Sequence, residues 1–258
     1  MQPTLVHPVF SHLGQACLDR LSFMRPAPGP RLWLGPPPQT RESSLALGPD
    51  WTQFETLGAD IPRPKGPGLG YAVVIDTGSW RTQSLHKDWF SSINQILSDG
   101  GVYLFASLGP SSLRDLKGAL ERAGLRADGL LPEAMIASWT DMHDLGDGLQ
   151  QAGLVSPVME SDALRFSYQT LRQLVRDLRA WPNRKAYKAT NQGLKGSGLG
   201  ANALGEAFDT LLKEHSAGLV VDWEVLVGHA WKPALPQKTE QNDQRPGFSP
   251  LRFFRKKP

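Results

Sequence analysis

The sequence predicts an α/β chain, a largely parallel sheet with helices between its strands. Three observations carry this. The apolar runs YAVVID (Tyr71–Asp76) and VYLFAS (residues 102–107) are too short for helices and read as buried strands. Between them, residues 85–97 place Trp89, Phe90, Ile93, Ile96 and Leu97 at helical spacing. Leu219–Trp231 alternates Val221, Trp223, Val225 and Val227 on one face, the period of a strand.

From the start of the chain, residues 8–23 spell an amphipathic helix with Phe10, Leu13, Cys17 and Leu21 on one stripe. The proline-bearing segment 26–30 ends it. RLWL (Arg31–Leu34) is a short apolar strand running into Gly35-Pro36-Pro37-Pro38. Residues 41–70 offer one strand candidate, 44–47, and then the run IPRPKGPGLG. A strand–helix–strand unit needs about 30 residues, so this interval holds at most one shortened unit. The sheet is expected to lack at least one strand there.

After the helix of 85–97, an Asp99-Gly100-Gly101 turn leads into the strand at 102–107 and a helix at 113–125. Residues 140–168 organise the second half of the chain. They open with a helix carrying Leu145, Leu149 and Ala152 on one face, closed by Gly153 where a left-handed residue is needed. A strand at 155–160 comes next, with 163–168 as its continuation or its hairpin partner. Helical segments at 171–181 and 203–215 flank a polar, glycine-rich connection at 185–200, before the closing strand.

With 258 residues and 40% hydrophobic content, the chain reads as one domain, residues 1–233, and a tail, 234–258, whose composition predicts disorder. The formal charge is +3, but LRFFRKKP at the end carries four cationic side chains, which leaves −1 for the rest. The basicity therefore belongs to the tail and does not describe a nucleic-acid-binding face. MQPTLVHPVF lacks the basic start and apolar core of a signal peptide, and no apolar run approaches a membrane span. The single cysteine, Cys17, falls on an apolar stripe, reads as packing, and fits a reducing cytoplasm. The six histidines show no metal-ligand spacing with Cys17 or with each other.

Five stretches say more than their periodicity does. LFASLGPSSLRDLKGAL, DMHDLGDGLQQAGLVSPVME, LRQLVRDLRA, GLKG and VVDWEVLVGHAWKP occur in this order across more than half the chain. Together they resemble the C-terminal half of the S-adenosylmethionine-dependent malonyl-acyl-carrier-protein O-methyltransferases of biotin synthesis. The resemblance implies a class I methyltransferase (Rossmann-like) sheet, reduced in its N-terminal half. It implies an antiparallel last strand at 219–231 and a helical lid inserted at 171–215. It also implies S-adenosylmethionine as cofactor and an acyl carrier protein as partner. Cofactor contacts then fall at Gly35, in the turn after the first strand, and at Asp76 and Thr77, where Tyr71–Asp76 ends. Substrate contacts fall at His143 and Arg179.

The chain departs from the family's pattern in four places. The first turn of such enzymes is glycine-rich, so that the backbone approaches the cofactor. Here three prolines fix φ near −65° and remove three N–H donors, leaving Gly35 alone. Asp50 and Glu55, candidates for the carboxylate that grips the cofactor's ribose, read as surface acids. The Phe-Asp that commonly opens the family's fourth strand is Tyr71-Ala72. An upstream Phe-Asp-Arg and Tyr-Asp segment that closes over the cofactor in the family is expected to be missing.

His143 reads equally as a group facing the substrate pocket and as a helix-start residue. Arg172, Arg176 and Arg179 share one helix face, a solvated basic row from which Arg179 is the candidate contact for a carboxylate or phosphate. A malonyl carboxylate is already ionised at neutral pH. Its methylation needs alignment and exclusion of water, not a general base, so no catalytic residue is singled out. The expectation is a degenerate methyltransferase with lost or weakened catalysis and doubtful cofactor binding. The alternative is a non-catalytic partner of an acyl carrier protein or of a full-length methyltransferase.

Overall fold

The computed structural model describes residues 8–35, 48–54, 61–64, 70–77, 87–122, 139–170, 172–174, 177, 205, 209 and 219–234. Among them the chain forms α1 (Pro8–Ser22), β1 (Arg31–Leu34), β2 (Trp51–Phe54), β3 (Tyr71–Asp76), α2 (Lys87–Ile96) and β4 (Leu97–Leu108). The elements α3 (Arg114–Arg122), α4 (Met142–Gln151), β5 (Val155–Tyr168) and β6 (Leu219–Trp231) complete it.

The described strands make one six-stranded sheet in the order β2-β1-β3-β4-β6-β5. The first four are mutually parallel. β6 runs antiparallel between β4 and β5, pairing Val102 with Trp231 and Leu108 with Val225 on one side and Tyr168 with Leu219 on the other. β1 and β3 are buried throughout except at Arg31, as strands covered on both faces must be.

The two faces are packed separately. α1, Trp33, Val73, Leu104, Trp139 and Trp223 belong to one core. α2 and α4 supply Phe90, Ile93, Leu145 and Leu149 to the other, with Leu32, Tyr103 and Phe105 of the sheet. Asp141 caps helix α4, its carboxylate accepting from the His143 N–H at 2.8 Å. Gly153 (φ 84°) follows its C-terminus in the left-handed region.

Two expectations are revised. No Asp99-Gly100-Gly101 turn separates α2 from its strand: β4 begins at Leu97, paired with Tyr71, and runs through these residues. The close packing needs glycine, since a Cβ on Gly70 would collide with the backbone of Leu97 and Ser98. Residues 155–168 are one strand, the continuation and not the hairpin, paired at twelve positions along β6 with a register shift between Val155 and Val158. A strand the sequence did not suggest, β2, lies beside β1, while the candidate at 44–47 is outside the described residues. The lid at 171–215 and the tail also lie outside them, apart from residues 172–174, 177, 205, 209 and 234.

Candidate functional site

The carboxyl ends of β1, β2 and β3 meet at one edge of the sheet. Gly35 leaves β1 with φ 99°, a conformation only glycine adopts without strain, and its N–H donates to the Phe54 carbonyl at 2.9 Å. The Thr77 N–H donates to the Leu34 carbonyl at 2.9 Å, and its hydroxyl donates to the same oxygen at 3.3 Å. Gly35, Asp76 and Thr77, assigned to the cofactor by resemblance, are thus brought together, and all three are buried. In open α/β sheets this edge is where ligands bind.

Asp76 is fully buried, and its Oδ2 accepts from the Trp89 indole at 3.0 Å and from the Tyr103 hydroxyl at 2.9 Å. A carboxylate taken out of water needs such donors. Trp89 comes from α2 and Tyr103 from β4, so the network ties the end of β3 to its neighbouring helix and strand. Neither residue was singled out from the sequence, where each appears only as part of an apolar pattern.

The second strand changes the reading of the two surface acids. Asp50 precedes β2, its carbonyl accepting from the Arg31 N–H at 3.1 Å, at the opposite edge from Gly35. Glu55 is the next residue after β2 ends at Phe54, the place in the chain that the ribose carboxylate takes in such sheets. The side chain of Glu55 lies outside the described residues.

His143 is exposed in the first turn of α4. Arg179 and Arg176 are outside the described residues, and Arg172 is exposed. Of the two substrate candidates, His143 alone lies among the described residues. Cys17 is buried in the α1 core. Burial pushes its thiol well above the ordinary range, with the Asp76 charge adding to the rise. Among the described residues no group of three or more His, Cys, Asp or Glu side chains could hold a metal ion, and no helix is long and apolar enough to cross a membrane.

The antiparallel end of the sheet carries a second polar arrangement. Glu224 of β6 accepts from the Ser111 N–H at 2.8 Å and from the Ser161 hydroxyl at 3.1 Å. Its N–H donates to Ser112 Oγ at 3.0 Å, and its carbonyl accepts from the Gly109 N–H at 2.9 Å. One residue thus fixes the turn between β4 and α3 against both antiparallel strands.

Four parallel strands, a last strand inserted antiparallel beside the fourth, and a glycine turn at the carboxyl edge define a class I methyltransferase fold. Within that class the chain is similar to malonyl-[acyl-carrier protein] O-methyltransferases. It is 32% identical to that of Nitrosospira multiformis over 148 residues, 57% of this chain and 45% of the relative. With that of Gallionella capsiferriformans it shares 33% over 145 residues, 56% and 47%. With that of Legionella pneumophila it shares 29% over 260 residues, 90% and 87%. The matches thus span about half the length of the first two relatives. No protein-family model matches the chain. Among solved structures, the YcgJ protein of Bacillus subtilis superposes with a TM-score of 0.49 at 9% identity, over 89% of this chain and all of that one.

Proposed function

We propose that the chain is a degenerate relative of the S-adenosylmethionine-dependent enzymes that methylate the malonyl carboxylate of malonyl-acyl carrier protein, with weakened or lost catalysis. The observation that carries this is the first turn. Gly35 has the left-handed backbone that lets a cofactor approach, but the residues after it are Pro36, Pro37 and Pro38. None of these has an N–H to offer, so the turn does not fit S-adenosylmethionine in the family's manner. The position of Glu55 after β2 supports one retained ribose contact, which makes binding weak and not absent. Bound there, the cofactor would supply an electrophilic methyl group. His143 and Arg179 remain the candidates for the acyl side, and the lid at 171–215 and tail at 234–258 keep their proposed boundaries.

The second reading is a non-catalytic partner of an acyl carrier protein or of a full-length methyltransferase. It is favoured by the contrast between that turn and the tightly built C-terminal half, where Glu224 and the long β5–β6 ladder hold the acceptor side of the sheet. Incubating the purified chain with labelled S-adenosylmethionine and malonyl-acyl carrier protein separates the two. The first reading predicts slow or no methyl ester formation without retention of the carrier protein, and the second none, with retention of the carrier protein on immobilised chain. Turnover at the rate of an intact enzyme would contradict both.

A further inference from the structure

A cleft of about 600 Å³ lies between α1 and the strands β5 and β6. Its size falls in the range of ligand-binding pockets. Valines Val225 and Val227 form the floor, Ala16 and Met24 one wall, and Phe23, 89% exposed, stands at the rim. Phe23 thus adds apolar surface beside the floor of the cleft.

The polar groups of this cleft are dominated by carboxylates. Arg20 spends its guanidinium internally, donating to the Val227 carbonyl at 3.0 Å and pairing with Glu160 at 2.5 Å. Asp19, Glu160 and Asp162 against that one guanidinium leave two net negative charges, with the histidines neutral. The Nδ1 of His229 is buried at the cleft without a hydrogen-bond partner. Native proteins rarely leave such an atom unmatched. The occupant that fits is an extended peptide with cationic and aromatic side chains, whose main chain also offers donors and acceptors.

The chain carries one such peptide. LRFFRKKP supplies Arg252, Arg255, Lys256 and Lys257 around the pair Phe253-Phe254, while the rest of the molecule is near neutral. The geometry allows it to return. β6 lines the cleft with Val225, Val227 and His229 and leaves the sheet at Trp231. From Ala234, seventeen residues lead to Leu251, a reach of up to about 55 Å. The 15-residue α1 is about 22 Å long, and seven extended residues, 251–257, span about 23 Å. Tethering places the segment at an effective concentration in the millimolar range, so contacts too weak for a free peptide still hold it.

We propose that residues 251–257 of this same chain occupy the α1–β6 cleft, their cations facing Asp19 and Asp162 and their aromatic pair against Met24 and Phe23. Zero-length carbodiimide cross-linking of the full chain tests this, using an equal mixture of unlabelled and heavy-isotope protein. The expected result is amide links from Lys256 or Lys257 to Asp19, Glu160 or Asp162, within one isotopic form. Their yield should fall several-fold in 1 M salt, where the screening length drops to about 3 Å, and in Phe253→Ser/Phe254→Ser. Links between unlabelled and heavy chains would mean that a second copy's tail is the occupant and overturn the proposal. Links scattered over acids remote from the cleft, such as Asp88 and Asp115, or no links to it, would overturn it as well.

Discussion

Replacing Gly228 with alanine tests the strand that defines the fold. Gly228 lies in β6 opposite Phe105 of β4 and Met159 of β5. A Cβ there would sit 2.5 Å from Met159 Sδ and 2.6 Å from Phe105 Cζ. The thioether is the far end of a flexible side chain and can swing aside cheaply. Phe105 cannot, because it is fully buried, stacked on Tyr103 at 5.4 Å and packed against Phe90 at 6.1 Å. Overpacking of this kind costs about 1–3 kcal/mol, and the immobile ring places Gly228→Ala at the upper end. For a protein of this size each kcal/mol lowers the melting temperature by about 2–4 °C, so a drop of about 4–12 °C is expected. In the Gly228→Ala/Phe105→Leu double variant the immobile ring is gone, and the costs should be sub-additive by about 0.5–1.5 kcal/mol. Calorimetric melting and urea denaturation give both numbers. A Gly228→Ala variant within about 0.5 kcal/mol of the parent, with additive double-mutant costs, would refute the antiparallel register of β6 between β4 and β5.

Three further outcomes are expected. Arg20→Met removes a charged hydrogen bond to the Val227 carbonyl and should cost about 1.5–3 kcal/mol in urea denaturation. Glu160→Gln, whose side chain is 68% exposed, should cost less than about 1 kcal/mol; equal costs would contradict this division. Burial, and secondarily Arg20, hold the His229 imidazole below its ordinary pKa. Its folded form therefore resists a proton that the unfolded chain accepts, and stability falls as pH drops below about 6.5 toward the folded pKa, by at most about 1.4 kcal/mol per pH unit. His229→Gln should flatten that limb, and an unchanged profile would show that His229 does not carry it. Cys17, buried with its thiol pushed up, should react with a disulfide reagent only on unfolding, and rapid native labelling would contradict the packing of α1.

The features legible in the sequence were those that depend on local pattern. RLWL and YAVVID announced buried strands because strands covered on both faces are continuously apolar, and the alternation of β6 announced one packed face. β2 was not legible. WTQF has two exposed central residues and, among the described strands, pairs with β1 alone, so nothing local marks it as a strand. Its position makes Glu55, not Asp50, the acid that comes after the second strand. Where β4 begins was hidden by Gly100 and Gly101, which read as a turn; at Gly101 the missing side chain serves close approach of Ser98 and Tyr71. The polar networks were invisible for a different reason. Arg20 meets Glu160 across 140 residues, and Asp76 meets Tyr103 across 27. The only sequence signal for the first was a lone arginine at the end of an otherwise apolar stripe.

We propose that the fold is kept while the first turn, Gly35-Pro36-Pro37-Pro38, holds the cofactor weakly. Losing one hydrogen bond to a charged ligand, at about 1.5–3 kcal/mol, weakens binding by about ten- to a hundredfold or more. Isothermal titration of S-adenosylmethionine into the purified full chain measures this directly. For a ligand otherwise held at about 5 μM, that weakening predicts a dissociation constant of about 50–500 μM, and a constant in the low micromolar range would contradict it.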